Sequence, residues 1–245
     1  MHHREKIMTK HGKKYTAAES SREAGAGYEP REALELVKAN AFAKFDESVE
    51  ANFRLGIDAK HAEQGVRGTV SLPHGTGKDL RVAVFATGEK AREAEEAGAD
   101  IVGGKELVKE IQDGRSLDFD LTISTPELMS EVGKLGKMLG PRGLMPNPKA
   151  GTVTVDIGKT VGEFKAGKVE YRNDRAGNVH AVIGNVSFDA ENLLQNLAVL
   201  TDEIMRARPA SVKGIYIRHM GVSSTMGPGI SIDTSRLDDL RALSH

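Results

Sequence analysis

The chain of 245 residues contains no cysteine. Disulfides and thiolate metal sites are therefore excluded, and the composition fits a reducing compartment. No apolar run approaches the roughly 18 residues of a membrane-crossing helix, so no membrane partner is expected. The opening MHHREKIMTK lacks the apolar centre of a secretory signal. A net charge of one sign is missing too: 34 Lys and Arg stand against 35 Asp and Glu, a formal charge of −1. Any binding of nucleic acid must then come from local patches. What is present is ordinary for a globular chain, 39% hydrophobic and 28% charged. That rules out wholesale disorder and leaves room for one large domain or two modest ones.

Charge is unevenly spread. Residues 1–14 hold Arg4, Lys6, Lys10, Lys13 and Lys14 against Glu5 alone, whereas residues 86–131 carry five basic and twelve acidic residues. Directly after comes KLGKMLGPRGLMPNPKAG, residues 134–151, with Lys134, Lys137, Arg142 and Lys149 and no acid. Its glycines and prolines expose backbone, so this loop is a candidate contact for RNA. The acidic stretch reads as a solvated face.

The N-terminal third reads helix then sheet. Pro30 suits a first helical turn before Ala33, Leu34, Val37 and Ala41. Val49, Ala51, Phe53, Leu55 and Ile57 alternate with polar residues, which is a strand with one wet face. Val66, Val70 and Leu72 continue a second strand, ended by SLPHGTGK. The middle third differs: LRVAVFA (80–86) is continuously apolar, as a strand buried on both faces should be. A helix from about Glu89 to Ala97 follows, then an ADIVG strand, a helix with Leu107, Val108 and Ile111, and a strand through Phe119, Leu121 and Ile123. Thr125 and Pro126 open a further helix carrying Leu128, Val132, Leu135 and Leu139, stopped at Gly140–Pro141. That alternation predicts a small parallel α/β unit. After Lys165 the first style returns. KVEYRND and NVHAVIGNVSF read as two strands joined by a turn at 174–177, Asp189 caps a helix with Leu193, Leu194, Leu197, Leu200 and Ile204, and VKGIYIRHMGV (212–222) is a last strand. The predicted fold class is thus α/β: an α+β outer domain built from both chain ends (1–75 and 167–245), with a Rossmann-like α/β domain inserted at 76–166. The chain crosses between them near residues 72–78 and 160–168, and 1–7 and 236–245 are expected to be flexible.

No catalytic constellation is found, so no enzyme is expected and no cofactor. GTGK at 75–78 fails the phosphate-loop spacing, because position 72 is Leu and position 79 is Asp. Strand 80–86 is followed by Thr87-Gly88-Glu89-Lys90, not by GxGxxG. There is no GxSxG and no HExxH, and the histidines have no helix-spaced partners for a metal. The competing classes are a nucleotide-binding enzyme and a protein-interaction module using Glu95 and Glu96.

LGPRGLMPNPKAGTV (139–153) is highly distinctive, and with it occur KFDESVE (44–50), RGTVSLPHG (67–75), GADIVGG (98–104), KVEYRND (168–174) and STMGP (224–228). In order and spacing these resemble the bacterial large-subunit ribosomal protein L-one family, over about residues 8–232. The resemblance implies a ribosomal protein of the cytoplasm whose outer domain grips a folded site in the large-subunit ribosomal RNA of the mobile stalk. It also implies help in releasing deacylated tRNA from the exit site, repression of its own messenger RNA through a similar RNA site, and contact with other ribosomal components. By the family's motifs, KFDESVE and STMGP lie together on the RNA face. Lys44 then neutralises a phosphate, and Phe45 packs on a ribose or base unless it is core. Ser48 and Glu50, on one strand face, bond 2′-hydroxyls. Ser224, Thr225, Met226, Gly227 and Pro228 offer hydroxyls, an adaptable side chain and bare backbone. Arg172 forks onto phosphate with Asp174 orienting it, and His180 stands on the paired strand. Lys134, Lys137, Arg142 and Lys149 are the candidates for tRNA or other stalk RNA.

Overall fold

The computed structural model describes residues 12–23 and 25–244, with only the backbone at Ala62. The leader 1–7 and the basic residues Arg4, Lys6 and Lys10 lie outside the described residues.

Two short helices come first among the described residues. Helix α1 (Lys13–Ser20) buries only Ala18 and has no predicted counterpart. Helix α2 (Pro30–Ala39) starts on its proline and buries Ala33, Leu34 and Val37. Strand β1 (Ser48–Leu55) alternates as expected, burying Val49, Ala51, Phe53 and Leu55. Strand β2 (Arg67–Ser71) then leads into the connection to the middle region.

There, strands β3 (Val82–Phe85), β4 (Ile101–Gly103) and β5 (Leu121–Ser124) form a parallel sheet in the order β4-β3-β5. The crossovers are helices α3 (Glu89–Glu96) and α4 (Lys105–Gln112). The predicted helix after Thr125 is broken into α5 (Met129–Val132), α6 (Gly136–Leu139) and 3₁₀ turns around them. Glycines 133, 136 and 140 interrupt it, yet Leu128, Val132, Leu135 and Leu139 are all buried. Helix α7 (Ile157–Lys165) is absent from the sequence reading. Its apolar stripe Ile157, Val161 and Phe164 is masked by Gly158 and Gly162; at Gly158 an added Cβ would lie 3.6 Å from the Glu93 carbonyl of α3. Because β3 is covered on both faces by separate apolar clusters, every one of its residues is buried.

The chain returns through β6 (Lys168–Arg172), β7 (Asn178–Asn185), α8 (Ala190–Arg206), β8 (Ile217–Ser224), β9 (Ile230–Ile232) and α9 (Leu237–Ala242). Strands β7-β1-β8-β9 form an antiparallel sheet, closed on one face by α2 and α8 around a single core. Strands β6 and β7 are not the expected pair. β6 runs antiparallel to β2 in a sheet of its own, and one bridge, Asn173 to Val179, joins it to β7. Gly68 stands opposite Tyr171, and a Cβ on it would lie 2.6 Å from the tyrosine hydroxyl. The ring lies on the glycine and fixes β6 to β2.

Two further expectations are corrected. Asp189 makes no side-chain cap to α8. The tail from 236 is docked: Leu240 is buried, and Arg241 donates from Nε and Nη2 to Asp202 Oδ1 at 3.0 and 2.9 Å. Among the described residues no helix is long and apolar enough to cross a membrane.

Glycines 75 and 167, with φ of +65° and +108°, meet where the two connections run side by side. A Cβ on Gly167 would lie 2.3 Å from the Gly75 Cα, so only glycine permits this approach. Asn196 of α8, fully buried, accepts from the His74 N–H at 3.1 Å and donates to the Gly75 and Ile183 carbonyls.

Candidate nucleic-acid interface

Glu47 sits one residue before β1, in phase with its buried side, and is 1% exposed. A carboxylate placed there must be satisfied internally. Oε1 accepts the Phe42 and Ala43 N–H groups at 3.0 and 2.7 Å, and Oε2 accepts the Met226 N–H at 3.0 Å. Burial pushes its pKa up, but the Ser224 hydroxyl and these N–H donors outweigh burial and hold the carboxyl below its ordinary value.

Around this group two distant segments become one surface. The Thr225 hydroxyl accepts the Ser48 N–H at 3.0 Å and donates to the Ser48 carbonyl at 3.3 Å. The Ser224 hydroxyl accepts the Gly227 N–H at 3.2 Å. Gly227 has no alternative, since a Cβ would stand 2.5 Å from that same oxygen. Asp46 accepts both the N–H and the hydroxyl of Ser187, at 3.0 and 2.7 Å, which ties the loop to the turn before α8.

With the polar groups turned inward, apolar groups face out. Phe45 is 57% exposed and Met226 50%, so Phe45 is not a core residue. Lys44 is exposed with no carboxylate partner among the described residues, while Pro228 is buried. Ser48, Glu50, Asn52 and Arg54 line the wetter face of β1, where Ser48 and Glu50 share a side as predicted. Glu50 lies opposite Val182 and Ser223; Asn52 lies opposite His180 and Gly221. His180 Nδ1 is 2.6 Å from Asn52 Oδ1.

Arg172 and Asp174 depart from expectation. The Asp174 carboxylate accepts the Ala176 and Asn178 N–H groups at 2.8 and 2.7 Å and the Asn178 side chain at 2.9 Å. The Asn178 N–H first of all holds it below its usual range; burial opposes this, and the Asn178 side chain and the Ala176 N–H add to the lowering. It therefore locks the turn into β7 and does not orient Arg172. Arg172 is exposed without a carboxylate partner among the described residues, and His180 stands on β7, whose ladder is with β1.

The basic loop belongs to the other core. Lys134 is 2.5 Å from Glu131, while Lys137, Arg142 and Lys149 are exposed and make no ion pair among the described residues. Asn147 and the buried Thr152 hold the loop: Asn147 Oδ1 accepts the Lys149 N–H at 2.7 Å, and the Asn147 N–H donates to the Thr152 hydroxyl at 2.8 Å. These cations are not brought together with the Glu47 cluster; the apolar residues of their segment, among them Leu135, Leu139 and Leu144, belong to the core on the parallel sheet.

Sequence reasoning missed Glu47, Asp46 and Asn52 as parts of the site. A signal for Glu47 existed, because residue 47 continues the odd-numbered set 49, 51, 53 and 55. An acid in core phase requires donors from elsewhere in the chain.

The Ribosomal protein L1p/L10e family matches residues 37–228. The chain is 58% identical over 228 residues to the large ribosomal subunit protein uL1 of Gemmatimonas aurantiaca, an alignment covering 93% of this chain and 99% of that protein.

Proposed function

We propose, from the premise that this chain belongs to the Ribosomal protein L1p/L10e family and is a constituent of the cytoplasmic ribosome that binds ribosomal RNA, that its grip on RNA is the surface welded by Glu47. The observation that carries this reading is the fusion of residues 42–48 and 224–228 through one buried carboxylate. Phe45 and Met226 are left exposed on the two loops it joins. Phe45 stacks on a base or ribose, Met226 fills an irregular gap beside it, and Lys44 takes a phosphate. Ser48, Glu50 and His180 offer short hydrogen bonds to 2′-hydroxyls, which distinguish RNA from DNA. Thr225 and Ser224 serve mainly by shaping the loop; Gly227 lets it close.

On this reading the chain forms two domains, residues 12–75 with 167–244 and residues 76–166, joined through the Gly75–Gly167 contact. The outer one binds the stalk RNA. The basic loop of the inner one, with Lys137, Arg142 and Lys149, meets exit-site tRNA and aids its release. A similar site in the chain's own messenger would be bound by the same loops, repressing synthesis. The protein acts by binding, not by catalysis.

The test is a filter-binding titration of the full chain against the stalk segment of large-subunit ribosomal RNA and against an unrelated RNA of equal length. Tight binding of the first that survives excess of the second is expected. Equal retention of both would overturn the reading.

A further inference from the structure

Between β6, the outer face of β7 and the middle region lies a cleft of about 460 Å³, within the range of small-ligand sites. It is continuous with the surface just described. His180 and Val182, which line it, stand beside Asn52 and Glu50 on the wet face of the sheet.

Its charges fall into two groups. Arg67 is held by Glu170 at 2.7 Å, and Lys168 lies 2.8 Å from Glu163 and 5.5 Å above the Phe164 ring. Those cations are already paired. Asp120 accepts the Arg81 N–H at 3.1 Å. Arg172 and Lys78 remain, both exposed and both without a carboxylate partner among the described residues. Arg172 belongs to the β2–β6 ribbon, and Lys78 to the connection leading into the middle region, just past Gly77. Leu80, Leu121 and Val169 supply an apolar wall to the same cleft. Two unneutralised cations beside an apolar wall match one nucleotide, phosphate at the cations and base against the wall.

We propose that this cleft is a second subsite, taking one nucleotide of the bound RNA with its phosphate between Arg172 and Lys78. The inference rests on the RNA-binding reading above and extends it to a residue outside the two loops. Arg172 grips by its fork and Lys78 as a point charge. Neither reads a base edge, so the contact positions the RNA without selecting its sequence. Because the two cations come from opposite sides of the Gly75–Gly167 contact, an occupied cleft ties the middle region to the RNA.

The full chain tests it. Lys78→Ala should weaken binding to the stalk RNA about threefold to tenfold and lower the salt slope by about one, with Lys78→Arg restoring both. The absence of cysteine makes Lys78→Cys a unique thiol. An iron chelate tethered there should cleave the bound RNA at a few adjacent nucleotides. Unchanged affinity and slope for Lys78→Ala, with no cleavage from position 78, would overturn the subsite while leaving the RNA grip standing. Failure of the unaltered chain to retain the RNA would overturn both. Free adenosine monophosphate separates the sources: if it moves amide resonances near Lys78 and Arg172 while Lys78→Ala binds RNA normally, the cleft serves free nucleotide and the RNA assignment falls.

Discussion

The antiparallel sheet and the parallel sheet each carry a candidate RNA contact, and they are made in opposite ways. On the antiparallel sheet, the hydrogen-bonding capacity of Glu47, Ser224 and Thr225 is directed largely at the protein's own backbone. The result is a fixed shape with Phe45 and Met226 outward. On the parallel sheet the backbone of the 140–152 loop is also held, but Lys137, Arg142 and Lys149 are exposed and make no ion pair among the described residues. One surface is suited to shape recognition and the other to electrostatic attraction. A chain with a formal charge of −1 can therefore bind RNA specifically, since shape recognition needs few net charges.

The comparison breaks most readily at Glu47. Glu47→Ala strands three backbone N–H groups, and a loss of about 3 kcal/mol in urea unfolding is expected. RNA affinity should fall at least about tenfold, because the two loops separate. Glu47→Gln keeps one acceptor oxygen and should lose less of both. The same carboxyl gives a pH signature. Its folded pKa lies below its ordinary value of 4.5. It therefore stabilises the fold above that value, and the contribution is lost as pH falls through the lower folded pKa. Urea midpoints from about pH 7 to pH 3 should drop less steeply in Glu47→Gln than in the parent. Parallel curves would remove the buried carboxylate from its assigned place.

Phe45→Ala comes next and separates binding from stability. A base stacked on an aromatic ring is worth about 1–3 kcal/mol, so RNA affinity should fall roughly tenfold to a hundredfold. With the ring 57% exposed, unfolding should change by less than about 0.5 kcal/mol. Equal losses in both measurements would return Phe45 to a packing role.

Much of the architecture was legible because burial leaves a period. The alternation in β1 and the unbroken apolar run of β3 each state how many faces are covered. Strand partners leave no such trace. KVEYR reads equally well beside β7 or β2, and only the Tyr171 ring over Gly68 decides. Helix α7 was hidden by its two glycines, of which Gly158 faces α3, and the docked tail by charges that turn out to answer Asp202. At the candidate site, the exposure of Lys44 and Phe45 leaves them free for the contacts their motif suggests. The buried acid that positions them looked like one more surface charge in KFDESVE. Asp174 was misread for a related reason: a carboxylate near an arginine suggests a pair, but its oxygens are taken by donors of Asn178, four residues on.

Thr225→Ala and Lys149→Ala complete the comparison with the smallest effects. Thr225 gives up the acceptor of the Ser48 N–H, about 1 kcal/mol of loop stability and roughly a fivefold loss of RNA affinity. Lys149 gives up one exposed charge. Its removal should cost about twofold near physiological salt, visible chiefly as a salt slope shallower by somewhat less than one. The order matters more than the sizes. A neutral hydroxyl that shapes a loop should outweigh a full charge that is free to contact phosphate, and the gap should widen as salt rises, because only the charge is screened. Titrations of both variants at low and high salt read this directly. If Lys149→Ala is the weaker binder at both, the main contact lies on the parallel sheet, and the Glu47 cluster is a structural brace and not the grip.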